Sequence, residues 1–209
     1  MTAGSARRGW LAGTAGALLL PWHGAHAGAQ QEEPLADAVR GALSAAVGDR
    51  APPVPEFSST ARRLAYLRWL SDMSERLRPR MADGPTRHEF LQTLWYESHR
   101  AGLDESLVLG LVQVESAFRK FAVSSVGARG FMQVMPFWMR TIGNGEPERL
   151  FHMQTNLRFG CVILRFYLER ERGDMFLALG RYNGSRGRAP YPDAVFGAQK
   201  RWQFTDRPG

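Results

Sequence analysis

An apolar run that ends in a carboxylate does most to restrict how this chain can fold. Leu107, Val108, Leu109, Leu111, Val112 and Val114 lead directly into Glu115. Their spacing fits a buried helix better than the strict alternation of a strand. Asp104 precedes the run and is placed to cap it, because its side chain can accept backbone N–H bonds left open in a first helical turn. Glu115 then falls late on a buried helix, close to Phe118. Burial disfavours the ionised form of a carboxyl group and raises its pKa. A carboxyl of that kind suits a general acid working near neutral pH. The plainer reading is a glutamate that is solvated or pairs with a nearby arginine such as Arg119.

Helical spacing also dominates elsewhere. Residues 58–80 are predicted to form a helix capped by Ser58, Ser59 or Thr60, with Leu64, Leu67, Leu70, Met73 and Leu77 as its inward stripe. A second helix covers 87–101 with Phe90, Leu91, Leu94 and Trp95 inward, and Gly102 suits the left-handed position after its end. This helix repeats the dipeptide of interest as Glu97-Ser98. No Gly-rich or Gln-containing segment follows there, so Glu97 is expected to be an exposed helical residue. Further helices are predicted over 156–172, 175–182 and 194–204. No strand alternation or hairpin signal stands out, so the fold class is mainly α.

After Glu115 come a loop, Phe121 to Gly130, and an apolar segment around Gln133. A glutamine there is either a satisfied core amide or a sugar-binding group. The formal charge is +7, carried almost wholly by arginine, since Lys120 and Lys200 are the only lysines. A basic surface points to anionic partners such as nucleic acid, a membrane surface or an acidic wall polymer. No zinc-ligand spacing, helix-turn-helix pattern or RNP-like motif selects nucleic acid. Cys161 is the only cysteine and reads as a small buried hydrophobe. The five histidines lack ligand spacing, so neither metal nor cofactor is expected.

Residues 1–27 read as a secretory signal: Arg7 and Arg8, then the stretch Gly9 to Leu20, then Ala25-His26-Ala27 as a cleavage site. The arginine pair also fits a twin-arginine signal, so two export routes stay open. Residues 28–57 look like a tether or a short helix over Pro34 to Val47, followed by Pro52, Pro53 and Pro55. Residues 58–86 form a support helix and linker, and 87–205 the main domain.

Three motifs in order give that domain an identity. Glu115-Ser116-Ala117-Phe118, the block Gly127 to Pro136 (GARGFMQVMP) and Leu179-Gly180-Arg181-Tyr182-Asn183-Gly184 resemble the catalytic, Gly-rich and tyrosine-asparagine motifs of the soluble lytic transglycosylase family. Phe131 replaces the usual leucine and Gly180 the usual alanine. Asn156, four residues before Gly160, also fits a helix of that family. The resemblance implies a goose-type-lysozyme-like helical domain with an N-terminal helical extension. It implies cleavage of the β-1,4 bond between N-acetylmuramic acid and N-acetylglucosamine, with a 1,6-anhydro product. Glu115 would be the single general acid and base, with Ser124, Gln133, Met135, Tyr182 and Asn183 contacting substrate. Ser125 beside Ser124 leaves a one-residue ambiguity. After Glu115 the next acidic residue is Glu146, beyond the motif block, which suits a one-carboxylate mechanism. The implied partner is the peptidoglycan glycan strand, met by a periplasmic monomer that is not inserted in the membrane once its signal is cleaved. A water-using lysozyme-type hydrolase and a non-catalytic peptidoglycan-binding scaffold are the alternatives.

Overall fold

A computed structural model describes residues 30–48 and 55–206. The leader expected over 1–27 lies outside the described residues, as do parts of the expected 28–57 segment. The described chain forms eight α-helices: α1 Asp37–Gly48, α2 Thr60–Leu77, α3 Gly84–Arg100, α4 Glu105–Ser116, α5 Phe137–Thr141, α6 Met153–Arg170, α7 Met175–Tyr182 and α8 Pro190–Gln199. A 3-10 turn, Pro147–Phe151, precedes α6. No strand forms among the described residues; two isolated antiparallel bridges, Val123 with Arg129 and Arg129 with Val134, tie the Gly-rich loop together. The mainly α expectation therefore holds.

The central element is α4. Asp104 caps it as expected, accepting from the Leu107 N–H at 2.9 Å. Leu107, Val108, Leu109, Leu111 and Val112 are all buried. Its most extensive neighbour is α8, and Gly110 is what lets the two backbones meet. A Cβ at Gly110 would lie 2.7 Å from the Gln199 backbone nitrogen and 3.0 Å from the Val195 carbonyl oxygen. Beyond the end of α4, the rings of Phe118 and Trp202 meet edge to face at 5.3 Å, and the Trp202 indole N–H donates to Gln113 at 2.9 Å.

Three expectations need correction. In α2, Leu64 and Leu67 are 48% and 46% exposed, and Tyr66, Trp69, Leu70, Met73 and Leu77 face inward. Tyr66 joins Phe57, Trp69 and Trp95 in an aromatic cluster. Aromatic rings remove more apolar area from water than leucines do, so they set the rotation of the helix. The last helix begins at Pro190 rather than Ala194, because proline is well tolerated in a first turn, where its missing N–H has no helical partner to lose.

Glu97 is not an exposed residue: it is 1% exposed. The guanidinium of Arg158 on α6 holds it, with Nε at 2.9 Å and Nη2 at 2.7 Å from Oε1. Arg100 approaches Oε2 at 3.3 Å and donates to the Ala46 carbonyl at 2.6 Å, linking α1 to the same cluster. Glu97 is therefore a structural cross-brace between α3 and α6. Nothing in its local sequence reports a partner 61 residues away.

Candidate active site

Glu115 ends α4 as a buried carboxyl, 9% exposed. Burial pushes its pKa from the ordinary 4.5 up to about 8, opposed only by a hydrogen bond from Tyr191. The Tyr191 phenol, on the first turn of α8, donates to Oε1 at 2.5 Å. Tyr191 is itself buried, and that burial, together with the carboxylate beside it, lifts its own pKa well above 10. The pairing with Arg119 does not occur: Arg119 Nε donates to the Ser116 carbonyl at 2.9 Å. Among the described residues Glu115 takes part in no ion pair, and no second carboxylate contributes to its shift. It is thus an uncharged acid at neutral pH, with one positioned phenol as its partner.

The backbone bends sharply just beyond this acid. Ala117 and Phe118 take left-handed conformations, with φ of 50° and 65°. Ser116 closes the helix end by donating to the Val112 carbonyl at 3.1 Å. Non-glycine residues in this region carry strain on the order of 1–3 kcal/mol each. Gln133 is a third, with φ of 48°.

The Gly-rich segment folds back against α6 through Asn156. This fully buried side chain accepts from the Met132 N–H and donates to the Arg129 and Leu150 carbonyls, each at 2.8 Å. Gly130, with φ of +76°, has no room for a side chain: a Cβ would lie 2.3 Å from Asn156 Nδ2. The clasp fixes the path of residues 129–132 against α6.

The predicted contact residues fall around this clasp, with varied roles. Ser124 is half-buried and its Oγ accepts from the Ala128 N–H at 3.0 Å, closing its own turn; Ser125 is exposed. Gln133 is 2% exposed, and its Nε2 donates to the Ala122 and Gly130 carbonyls at 3.1 and 2.9 Å. Both of its N–H bonds are therefore spent on the loop. Tyr182 is buried and donates to the Met132 carbonyl at 2.8 Å. Burial raises its pKa well above 10, and the nearby Glu115 adds to the rise. Met135 is half-buried, and its N–H donates to Gln30 at 3.3 Å. The Asn183 amide donates to Ser185 at 2.9 Å, while its Oδ1 is buried without a hydrogen-bond partner.

The phenol that touches the acid is Tyr191, which lies outside the three motifs, whereas the Tyr182 phenol is bonded to Met132. A signal was available: Pro190 and Pro192 flank it and mark a helix start, which would have placed Tyr191 on a first turn facing α4. Among the described residues no group of three or more His, Cys, Asp or Glu is arranged to hold a metal ion. No described helix is long and apolar enough to cross a membrane.

Residues 94–204 match the sequence model of the transglycosylase SLT domain. A protein called membrane-bound lytic murein transglycosylase C from Photorhabdus laumondii is 32% identical over 118 residues, which is 48% of this chain and 32% of that protein. The protein of the same name from Glaesserella parasuis is 41% identical over 78 residues, covering 32% of this chain and 21% of its own length. The chain thus spans about a third or less of the curated relatives it matches. Among solved structures, an inactive mutant of the lytic transglycosylase Slt from Pseudomonas aeruginosa aligns with 68% of this chain and 27% of its own, at 24% identity and a TM-score of 0.43.

Proposed function

Because the chain belongs to the family of the transglycosylase SLT domain, as its motifs led one to expect, we propose that it is a lytic transglycosylase of peptidoglycan. It cleaves the β-1,4 bond between N-acetylmuramic acid and N-acetylglucosamine and leaves a 1,6-anhydro muramic end. The observation that carries this reading is the state of Glu115, buried, raised to about 8 and without a second carboxylate acting on it. Conventional glycosidases use two carboxyl groups, one as acid and one as nucleophile or base. With one, the substrate's own groups must complete the reaction.

The protonated Glu115 gives its proton to the leaving glycosidic oxygen as the C1–O bond breaks. The oxygen of the muramic acetamide closes on C1 and holds the positive charge as an oxazolinium ion. The Glu115 carboxylate, now ionised and held by the Tyr191 phenol, takes the proton of the muramic C6 hydroxyl. That oxygen attacks C1, the oxazolinium ring opens, and Glu115 is again protonated. No water is consumed. Acid–base transfer of this kind contributes about 10²–10⁴-fold, and orientation of the reacting groups supplies much of the remainder.

The other named residues take parts consistent with their surroundings. Tyr182 and Gln133 hold the clasp that faces the acid, and the carbonyl oxygen of Gln133 remains to meet sugar. The Asn183 Oδ1 is an open buried acceptor for a sugar hydroxyl or amide N–H. Ser124 can donate its hydroxyl proton, since its oxygen already accepts from Ala128. Met135 offers its backbone N–H to a carbonyl. The basic charge draws the enzyme to an anionic wall polymer through a long-range, salt-sensitive attraction. The protein is read as exported to the periplasm and working as a monomer; the membrane-bound relatives are compatible with an exported protein.

Digestion of purified sacculi followed by mass measurement of the muropeptides tests the reading. Anhydro products, one water lighter than hydrolysed ones, are expected. Reducing muramic ends would identify a lysozyme-type hydrolase instead. Absence of soluble product from folded protein would identify a binding scaffold.

A further inference from the structure

The segment before α1 packs against two of the candidate contact residues, Met135 and Tyr182. Gln30 is 3% exposed, and its Oε1 accepts from the Met135 N–H at 3.3 Å. Its side chain also lies close enough to the Tyr182 phenol to oppose the burial that raises that group's pKa. Three residues on, Glu33 places Oε2 2.5 Å from Arg170 Nη1 and Oε1 3.3 Å from Arg181 Nη1. Glu32 stands 4.0 Å from Arg140, and Leu35 packs against the core.

From these contacts we propose that residues Gln30–Leu35 form an intramolecular strap that occupies the cleft beside Glu115 and competes with the glycan strand. The proposal rests on the glycan reading of the site. A glutamine side chain presents a carbonyl acceptor and an amide N–H, the same two groups as the acetamide of an N-acetyl sugar. Gln30 spends its carbonyl on the Met135 N–H, the backbone donor that the glycan reading assigns to substrate. A sugar acetamide and Gln30 cannot both accept from that donor at hydrogen-bond distance.

The segment is built to leave. Among the described residues, 30–35 make no backbone-to-backbone hydrogen bond, so side chains alone hold it. Gln30 Nε2 is buried without a hydrogen-bond partner, which leaves the amide contact half made. The ion pairs are partly open to solvent, with the side chains of Glu33 and Arg170 31% and 40% exposed, so salt weakens them. The cavity next to the strap, about 340 Å³ and lined by Gln31, Glu33, Tyr167, Arg181 and Arg186 among others, does not reach Glu115.

A bound strap lowers apparent affinity by the fraction of molecules in which it is open; a strap closed nine-tenths of the time costs about tenfold. The test compares full-length chains carrying Glu115→Gln, with and without Gln30→Ala and Glu33→Ala, by calorimetric binding of soluble peptide-free glycan strands. At least about threefold tighter binding in the strap variant is expected, with the difference shrinking as salt is raised. Equal or weaker binding overturns the strap and leaves the glycan reading standing. Failure of both forms to bind overturns the glycan reading, and the strap with it. A second measurement needs no ligand: hydrogen exchange at the Met135 amide should quicken in Gln30→Ala, and unchanged exchange would overturn the contact itself.

Discussion

Tyr191 on α8 donates its phenolic proton to Glu115 on α4 at 2.5 Å, across 76 residues of sequence. The bond links the two helices that pack most extensively and places a donor on an acid that burial would otherwise leave alone. A hydrogen bond to a charged group is worth about 1.5–3 kcal/mol. This one forms most strongly when Glu115 is ionised, the stage at which the proposed mechanism uses the carboxylate as a base.

Replacing Tyr191 by Phe should therefore lower kcat/KM on glycan substrate by about tenfold or more. It should also move the alkaline limb of the pH profile upward, because the phenol lowers the Glu115 pKa. A pH–rate series on both proteins checks this. A limb that stays in place would make Tyr191 a packing residue only.

On the proposed mechanism, the wild-type protein should lose activity as pH rises through about 8, where Glu115 ionises. Stability follows the same group. The folded pKa is raised above the unfolded one, and the cause is burial of the charged form. Between about 4.5 and 8 the folded state binds a proton that the unfolded chain has released, so stability falls with rising pH across that window and levels off above it. Glu115→Gln removes this penalty. It should abolish turnover and raise the unfolding free energy, by an amount on the order of a few kcal/mol above pH 8 that fades toward pH 4, with Tm rising accordingly. Melting curves at several pH values read the difference.

Glu97→Gln leaves the Arg158 guanidinium buried beside a neutral amide. Breaking one side of a buried ion pair costs about 3–5 kcal/mol. Urea unfolding should show a loss of that size, and the protein that remains folded should retain its turnover. The repeated Glu-Ser dipeptide makes this a sharp contrast: the proposal gives the chemistry to Glu115, and the buried ion pair gives Glu97 a structural part.

Ala117→Gly should stabilise the protein. Ala117 sits at φ 50° after α4, where a Cβ costs about 1–2 kcal/mol. Part of the gain is returned through the greater freedom of glycine in the unfolded chain, leaving about 1 kcal/mol in a urea melt. A loss of stability would mean that the Ala117 methyl makes a contact that outweighs the strain.

The sequence by itself determined the mainly α class, the position of the capped helix that presents Glu115, and the three motifs that assign the family. These are local properties. Residue spacing, a capping aspartate and short motifs are written within a few turns of chain, and the physics that reads them is equally local. Only the tertiary structure decided which side chains meet. Tyr191 rather than Tyr182 reaches the acid, because the close α4–α8 contact at Gly110 brings the first turn of α8 over Glu115. Glu97 is buried because Arg158, 61 residues on, supplies the charge that makes its burial tolerable. Leu64 and Leu67 face water because Tyr66 and Trp69 have more apolar area to hide. In each case the deciding quantity is the burial of one group by another distant in sequence, and no local pattern carries that information.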